Sequence, residues 1–156
     1  MVARAARWWT LLLACWVWGA VTAEAQVALS RATPGSFDGL VVIGNVEGVQ
    51  RLDPSEVRRV FRGEQSLWRS GIAVTVVLPS PRSPFIEAVS TGVFGLSKAA
   101  MQRYWLGLVF QGRAAPPVQL ETADEMIAFV RRTPGAIAVV PAPIAESARS
   151  IVIAIP

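Results

Sequence analysis

The chain has 156 residues, 53% hydrophobic and 17% charged, enough for one domain with a buried core. It carries 15 Lys and Arg against 11 Asp and Glu, a net charge of +4, with no histidine and a single cysteine. That inventory excludes an internal disulfide, imidazole or multi-thiolate metal sites, and Ser/His or Cys/His catalysis.

Residues 1–25 read as a cleavable signal peptide. Arg4 and Arg7 precede an apolar run from Trp8 to Val21, and Ala23-Glu24-Ala25 places small residues where a signal peptidase reads them, predicting cleavage before Gln26. The run is shorter than the roughly 20 residues a bilayer core requires, so a retained anchor is the weaker alternative. Leu12-Leu13-Ala14-Cys15 loosely fits a lipid-attachment box, but Trp16, Val17 and Trp18 would then lie directly after the lipid. The expectation is therefore a periplasmic protein that meets the membrane only through its signal peptide. Cleavage would remove Cys15, Trp8, Trp9, Trp16 and Trp18, and lower the net charge to +3 through loss of Arg4, Arg7 and Glu24. Arg58-Arg59 and Arg131-Arg132 are the only basic pairs, without interleaved aromatics, so no nucleic-acid partner is expected.

Residues 26–39 mix Ser, Thr, Pro and Gly without periodicity and read as a flexible lead-in, leaving 40–156 as the folded domain. Leu40 to Ile43 is a short strand. Asp53-Pro54-Ser55-Glu56 then combines an N-cap, a proline at the first helical position and a glutamate three residues on, and the helix it starts turns Val57, Val60 and Phe61 inward, leaves Arg58, Arg59 and Arg62 outward and stops at Gly63. Ala73 to Leu78 is aliphatic on both faces, as a central parallel strand must be. Ser83-Pro84 is expected to start a helix with Phe85, Ile86, Val89 and Val93 inward, and Ser97 to cap another with a stripe of Met101, Tyr104, Trp105, Leu108 and Val109. Val118 to Leu120, Ala136 to Val140 and Ile151 to Ile155 follow as strands, with a helix from Thr122 to Arg132 ended by Pro134-Gly135. This alternation predicts an α/β domain, a mainly parallel sheet covered by helices on both faces.

Three segments carry a resemblance: VRRVFRGEQSLWRSGIAVTVVLPSPRSPF at Val57 to Phe85, RYWLGLVFQGR at Arg103 to Arg113, and PGAIAVVPA at Pro134 to Ala142. Together they resemble the solute-binding components of phosphate ABC transporters, where a helix ending in Phe-x-Gly is followed by a Trp, a Gly, an apolar strand and a Ser-led helix. The resemblance implies one lobe of the type II periplasmic-binding-protein fold, since a mature chain of this length suffices for one of two lobes. It also implies phosphate or another small oxyanion as ligand, and a transporter or envelope protein as partner. Phe61, Gly63, Trp68, Tyr104, Trp105 and Gly135 fall on family-motif positions and read as structural: core packing, a left-handed helix cap and cover for the sheet edge.

In open parallel sheets ligands bind beyond the carboxyl ends of the strands. The loop Pro79-Ser80-Pro81-Arg82-Ser83 lies there, making Ser80, Arg82 and Ser83 the candidate ligand-binding residues. In the family that position carries an Arg and a Ser-Gly-Thr run. Here Ser83 matches the serine, whereas Pro84 and Phe85 replace Gly and Thr and remove an N–H and a hydroxyl. The competing reading is a plain helix cap with a solvated arginine; in either case Arg82 and Ser83 are expected outside the core. Asp53, Glu56, Glu121, Asp124 and Glu125 are explained by helix starts, and Lys98 sits early in a helix, so no catalytic group, metal or cofactor is expected. Two readings stand: a lobe binding an oxyanion, or an accessory envelope protein keeping only the fold. Oligomeric state is left open.

Overall fold

The computed structural model describes residues 39–145 and 152–153. The proposed signal peptide and most of the lead-in lie outside the described residues, as do 151, 154 and 155 of the expected last strand.

Four strands form one mixed sheet: β1 (Leu40–Gly44), β2 (Thr75–Pro79), β3 (Val118–Leu120) and β4 (Ala136–Pro141), in the order β1-β4-β2-β3. β2 is parallel to both neighbours, with Val77 opposite Val118 on one side and Ala138 on the other. β1 runs antiparallel to β4, pairing Leu40 with Pro141 and Gly44 with Ile137. The expected final strand touches the free side of β1: Val152 bridges Ile43 antiparallel, and the Ile153 amide donates to the Val42 carbonyl at 2.9 Å. The sheet is thus parallel in its centre and antiparallel at one side.

α1 (Pro54–Phe61) begins as its sequence dictates. The Glu56 carboxylate accepts from the Asp53 amide at 3.2 Å, and Pro54 spends no needed donor at the first position. It ends in a Schellman arrangement, with the Gly63 amide on the Val60 carbonyl, the Glu64 amide on Arg59, and Gly63 at φ +68°. Val57, Val60 and Phe61 are buried and Arg58, Arg59 and Arg62 exposed, as the spacing requires.

The expected Ser83-led helix differs from observation. The α-helical part, α2, is only Ile86–Val89, and it passes into a π-helical turn, Ser90–Phe94, closed by Gly95 at φ +67°. Ser83 is not a cap: no side chain caps α2, and Pro84-Phe85 form a turn in which the Ile86 amide reaches the Ser83 carbonyl at 3.3 Å. The π turn packs on α1, where Phe94 meets Phe61 edge-on at 6.4 Å between ring centres, and Ile86, Val89 and Val93 are buried beside it.

α3 (Lys98–Phe110) is capped by Ser97, whose hydroxyl accepts from the Ala100 amide at 3.3 Å. It buries Met101, Trp105 and Leu108, with Tyr104 and Val109 half-buried. The stripe is less clean than its spacing suggests, because Leu106 and Phe110 are exposed on the outer side. α4 (Ala123–Arg132) carries a full capping box: the Thr122 hydroxyl accepts from the Glu125 amide, and the Glu125 carboxylate from the Thr122 amide. A short helix the sequence reading did not anticipate, α5 (Ala142–Ala145), follows β4.

Alternate residues of β1, β2 and β4 enter opposite cores. Val42, Val76, Leu78, Ile137 and Val139 join α1, α2, the π turn and α3. Ile43, Val77, Ala138 and Val140 join α4 and Ala145 of α5. Helices therefore cover both faces, and the burial of β2 and β4 on both sides explains their unbroken apolar sequences.

Candidate functional site

β2, β3 and β4 are parallel, so Pro79, Leu120 and Pro141 bring three carboxyl ends to one edge of the sheet. The loop after β2 is fixed there by its backbone. The Ser80 amide donates to the Leu120 carbonyl at 2.7 Å, the Ser83 amide to the Ser80 carbonyl at 3.0 Å, and the Arg82 amide to the Ser80 hydroxyl at 3.3 Å. Ser80, Arg82 and Ser83 are thus held in one tight turn, but their side chains meet different surroundings.

Arg82 is exposed, and its guanidinium makes no ion pair among the described residues. Ser80 is half-buried, with its hydroxyl already accepting one bond. Ser83 corrects the sequence reading: it is only 3% exposed, and its hydroxyl has no hydrogen-bond partner among the described residues. Pro84 and Phe85 cause this, because the turn they form folds Ser83 under the loop rather than leaving it at the mouth of a helix.

Lys98, dismissed in sequence as a helix-start residue, belongs to this place. Its ammonium donates to the Pro81 carbonyl at 3.3 Å, across 17 residues of sequence, so α3 latches the loop and brings a second cation to it. Nothing local signalled this, since the contact is tertiary.

The neighbouring amide donors are already occupied. Glu125 accepts from the Glu121 and Thr122 amides, both at 3.1 Å, and these bonds hold its carboxyl below the usual carboxylate value. The chain's own carboxylate thus fills the anion position at the start of α4. Cationic attraction at this edge comes from Arg82 and Lys98.

The motif residues are structural in position. Phe61 lies in the core, and Gly63 supplies the left-handed cap, where an added Cβ would lie 3.3 Å from Trp105 and Leu108. The Trp68 indole donates to the Gly135 carbonyl at 2.9 Å, which places it over the amino end of β4 rather than at a sheet edge. The Tyr104 hydroxyl donates to the Arg62 carbonyl at 2.8 Å, tying α3 to the end of α1, and burial raises its pKa. Trp105 is buried, and its indole N–H has no partner among the described residues. Among the described residues no His, Cys, Asp or Glu cluster could hold a metal ion.

A mixed sheet with helices on both faces and its loops gathered beyond the carboxyl ends of parallel strands is one lobe of the type II periplasmic-binding-protein fold. Solved structures share that fold. PstS from Borrelia burgdorferi aligns with a TM-score of 0.58 at 10% identity, over 75% of this chain and 47% of its own. A possible phosphate binding protein from Planctomyces limnophilus aligns with a TM-score of 0.53 at 11% identity, over 75% and 40%. A phosphate transport receptor from Vibrio cholerae gives 0.49 at 16% identity, over 75% and 46%. The chain thus spans less than half the length of each. No protein-family model and no curated protein sequence matches it.

Proposed function

We propose that the chain is an exported, non-enzymatic solute-binding lobe that holds phosphate or a similar oxyanion weakly, at the loop after β2, against a second lobe supplied by another chain or another copy. The observation that carries this reading is the placement of Arg82, without an ion pair among the described residues, and of Lys98, bonded to the same loop, beyond the carboxyl end of a central parallel strand. A guanidinium offers a planar fork for an oxyanion, and the ammonium beside Pro81 adds a second positive charge. Ser80 can donate its hydroxyl proton to the ligand while accepting from Arg82. Ser83 would contribute only after the loop opens. One solved structure of similar fold is a possible phosphate binding protein, which supports an oxyanion ligand.

A second reading is favoured by one observation, the occupation of the α4 amides by Glu125 together with the loss of the donors at Pro84 and Phe85. A lobe so depleted could serve as an accessory protein of the envelope that keeps only the fold. Titration calorimetry with phosphate and sulfate separates the two. Saturable binding lost in Arg82→Ala supports the oxyanion lobe, whereas absence of heat at millimolar anion, about the weakest affinity worth a site, supports the accessory protein.

A further inference from the structure

A second cavity adjoins that loop at Pro79 and runs along the outer side of α3. A groove of about 750 Å³ opens between α3 and the β2–β3 side of the sheet, within the range typical of small-molecule sites. Its walls are chiefly apolar, from Ile86, Leu106, Val109, Pro116 and Pro117. Leu106 is 56% exposed, and Phe110, one turn further along, is 83% exposed. Such side chains are normally covered when they occur together beside a cavity.

The polar groups of the groove share one character. Arg103 lines it and makes no ion pair among the described residues; Gln102 and Gln119 add amides, and no lining residue is acidic. α3 itself bears Lys98 and Arg103 and no carboxylate. Trp105 lines the groove too, 5% exposed, with a buried indole N–H lacking an acceptor. An unmet donor of this kind costs stability unless something supplies an acceptor. Apolar walls and a guanidinium without an ion pair among the described residues together complement an apolar body ending in a carboxylate.

We propose that this groove binds a small amphiphilic carboxylate, an acyl or aryl acid whose chain lies along Leu106 and Val109 and whose head group meets Arg103. Pro116 and Pro117 lack the N–H groups that would pair an added peptide strand at this edge, which favours a small molecule over an extended segment. The groove shares Pro79 with the loop after β2, but none of Ser80, Arg82 and Ser83 lines it.

Decanoate, kept below its micelle-forming concentration, is the probe, with decanol as the uncharged control. Calorimetry on the full chain should give saturable decanoate binding below about 1 mM. Arg103→Gln should weaken decanoate by about tenfold or more while leaving decanol unchanged, Leu106→Glu should abolish decanoate binding, and Arg82→Ala should change nothing. Arg103 is exposed, so its variant is expected to fold as the parent does. Three results overturn the proposal: no saturable binding, equal affinity for decanol and decanoate, or a self-association by light scattering that Leu106→Glu disrupts. The last would make the groove an interface between copies.

Discussion

Ser83 shows how much can turn on one side chain. By identity and place it reads as a helix cap or ligand donor outside the core, yet Pro84 and Phe85 bend the chain so that it is buried with an unmet hydroxyl. A buried hydroxyl without a partner pays its desolvation and recovers nothing. Ser83→Ala is therefore expected to be neutral or stabilising by up to about 1 kcal/mol in a denaturant melt, and a clear loss would mean that the hydroxyl has a partner in solution. Gly135 is the opposite case, a position where the backbone admits no alternative. It lies at φ +81°, its amide and carbonyl bond Asn45, Thr75 and the Trp68 indole, and an added Cβ would run into the Ala73 carbonyl oxygen. The left-handed backbone alone costs a non-glycine residue about 1–3 kcal/mol, so Gly135→Ala should destabilise by at least about 3 kcal/mol by the same melt.

Among elements, legibility followed the range of the interactions that define each one. α1 and α4 carry their start signals within four residues, Asp53 to Glu56 and Thr122 to Glu125, and both were readable to within a residue or two. β2 and β4 were readable because burial on both faces writes itself as an unbroken aliphatic run. α2 was misread because its π turn depends on how Val93 and Phe94 fit against α1, which no local pattern specifies. Of the candidate site, the loop and Arg82 were legible from position alone, whereas the Lys98 latch and the burial of Ser83 are tertiary facts. The α4 capping box has a consequence in acid. Glu125 has a depressed folded pKa, so its contribution is complete above the ordinary carboxylate value of 4.5 and fades as pH falls below it through the folded pKa. The stability difference between the parent and Glu125→Gln should accordingly be constant above pH 4.5 and shrink below it; a difference unchanged down to pH 2 would contradict the cap.

For the whole molecule, the sheet order places first and last described segments side by side, with Ile153 buried against β1 and within the same core as Trp68 and Trp105. Ile153→Ala should therefore cost about 2–5 kcal/mol, as for other buried aliphatic truncations, and a cost under about 1 kcal/mol would mean the segment leaves β1 in solution. The aligned part of the chain spans less than half the length of the solved structures it resembles. On the proposed reading, the loop after β2 brings two cations and a hydroxyl to one wall of a cleft, while Glu125 fills the nearby amide donors. The most direct measurement is amide chemical-shift mapping during a phosphate titration. The account predicts saturable shifts confined to Ser80, Arg82, Ser83 and the start of α3 at Lys98; an absence of shifts there, or shifts centred elsewhere on the sheet, would contradict it.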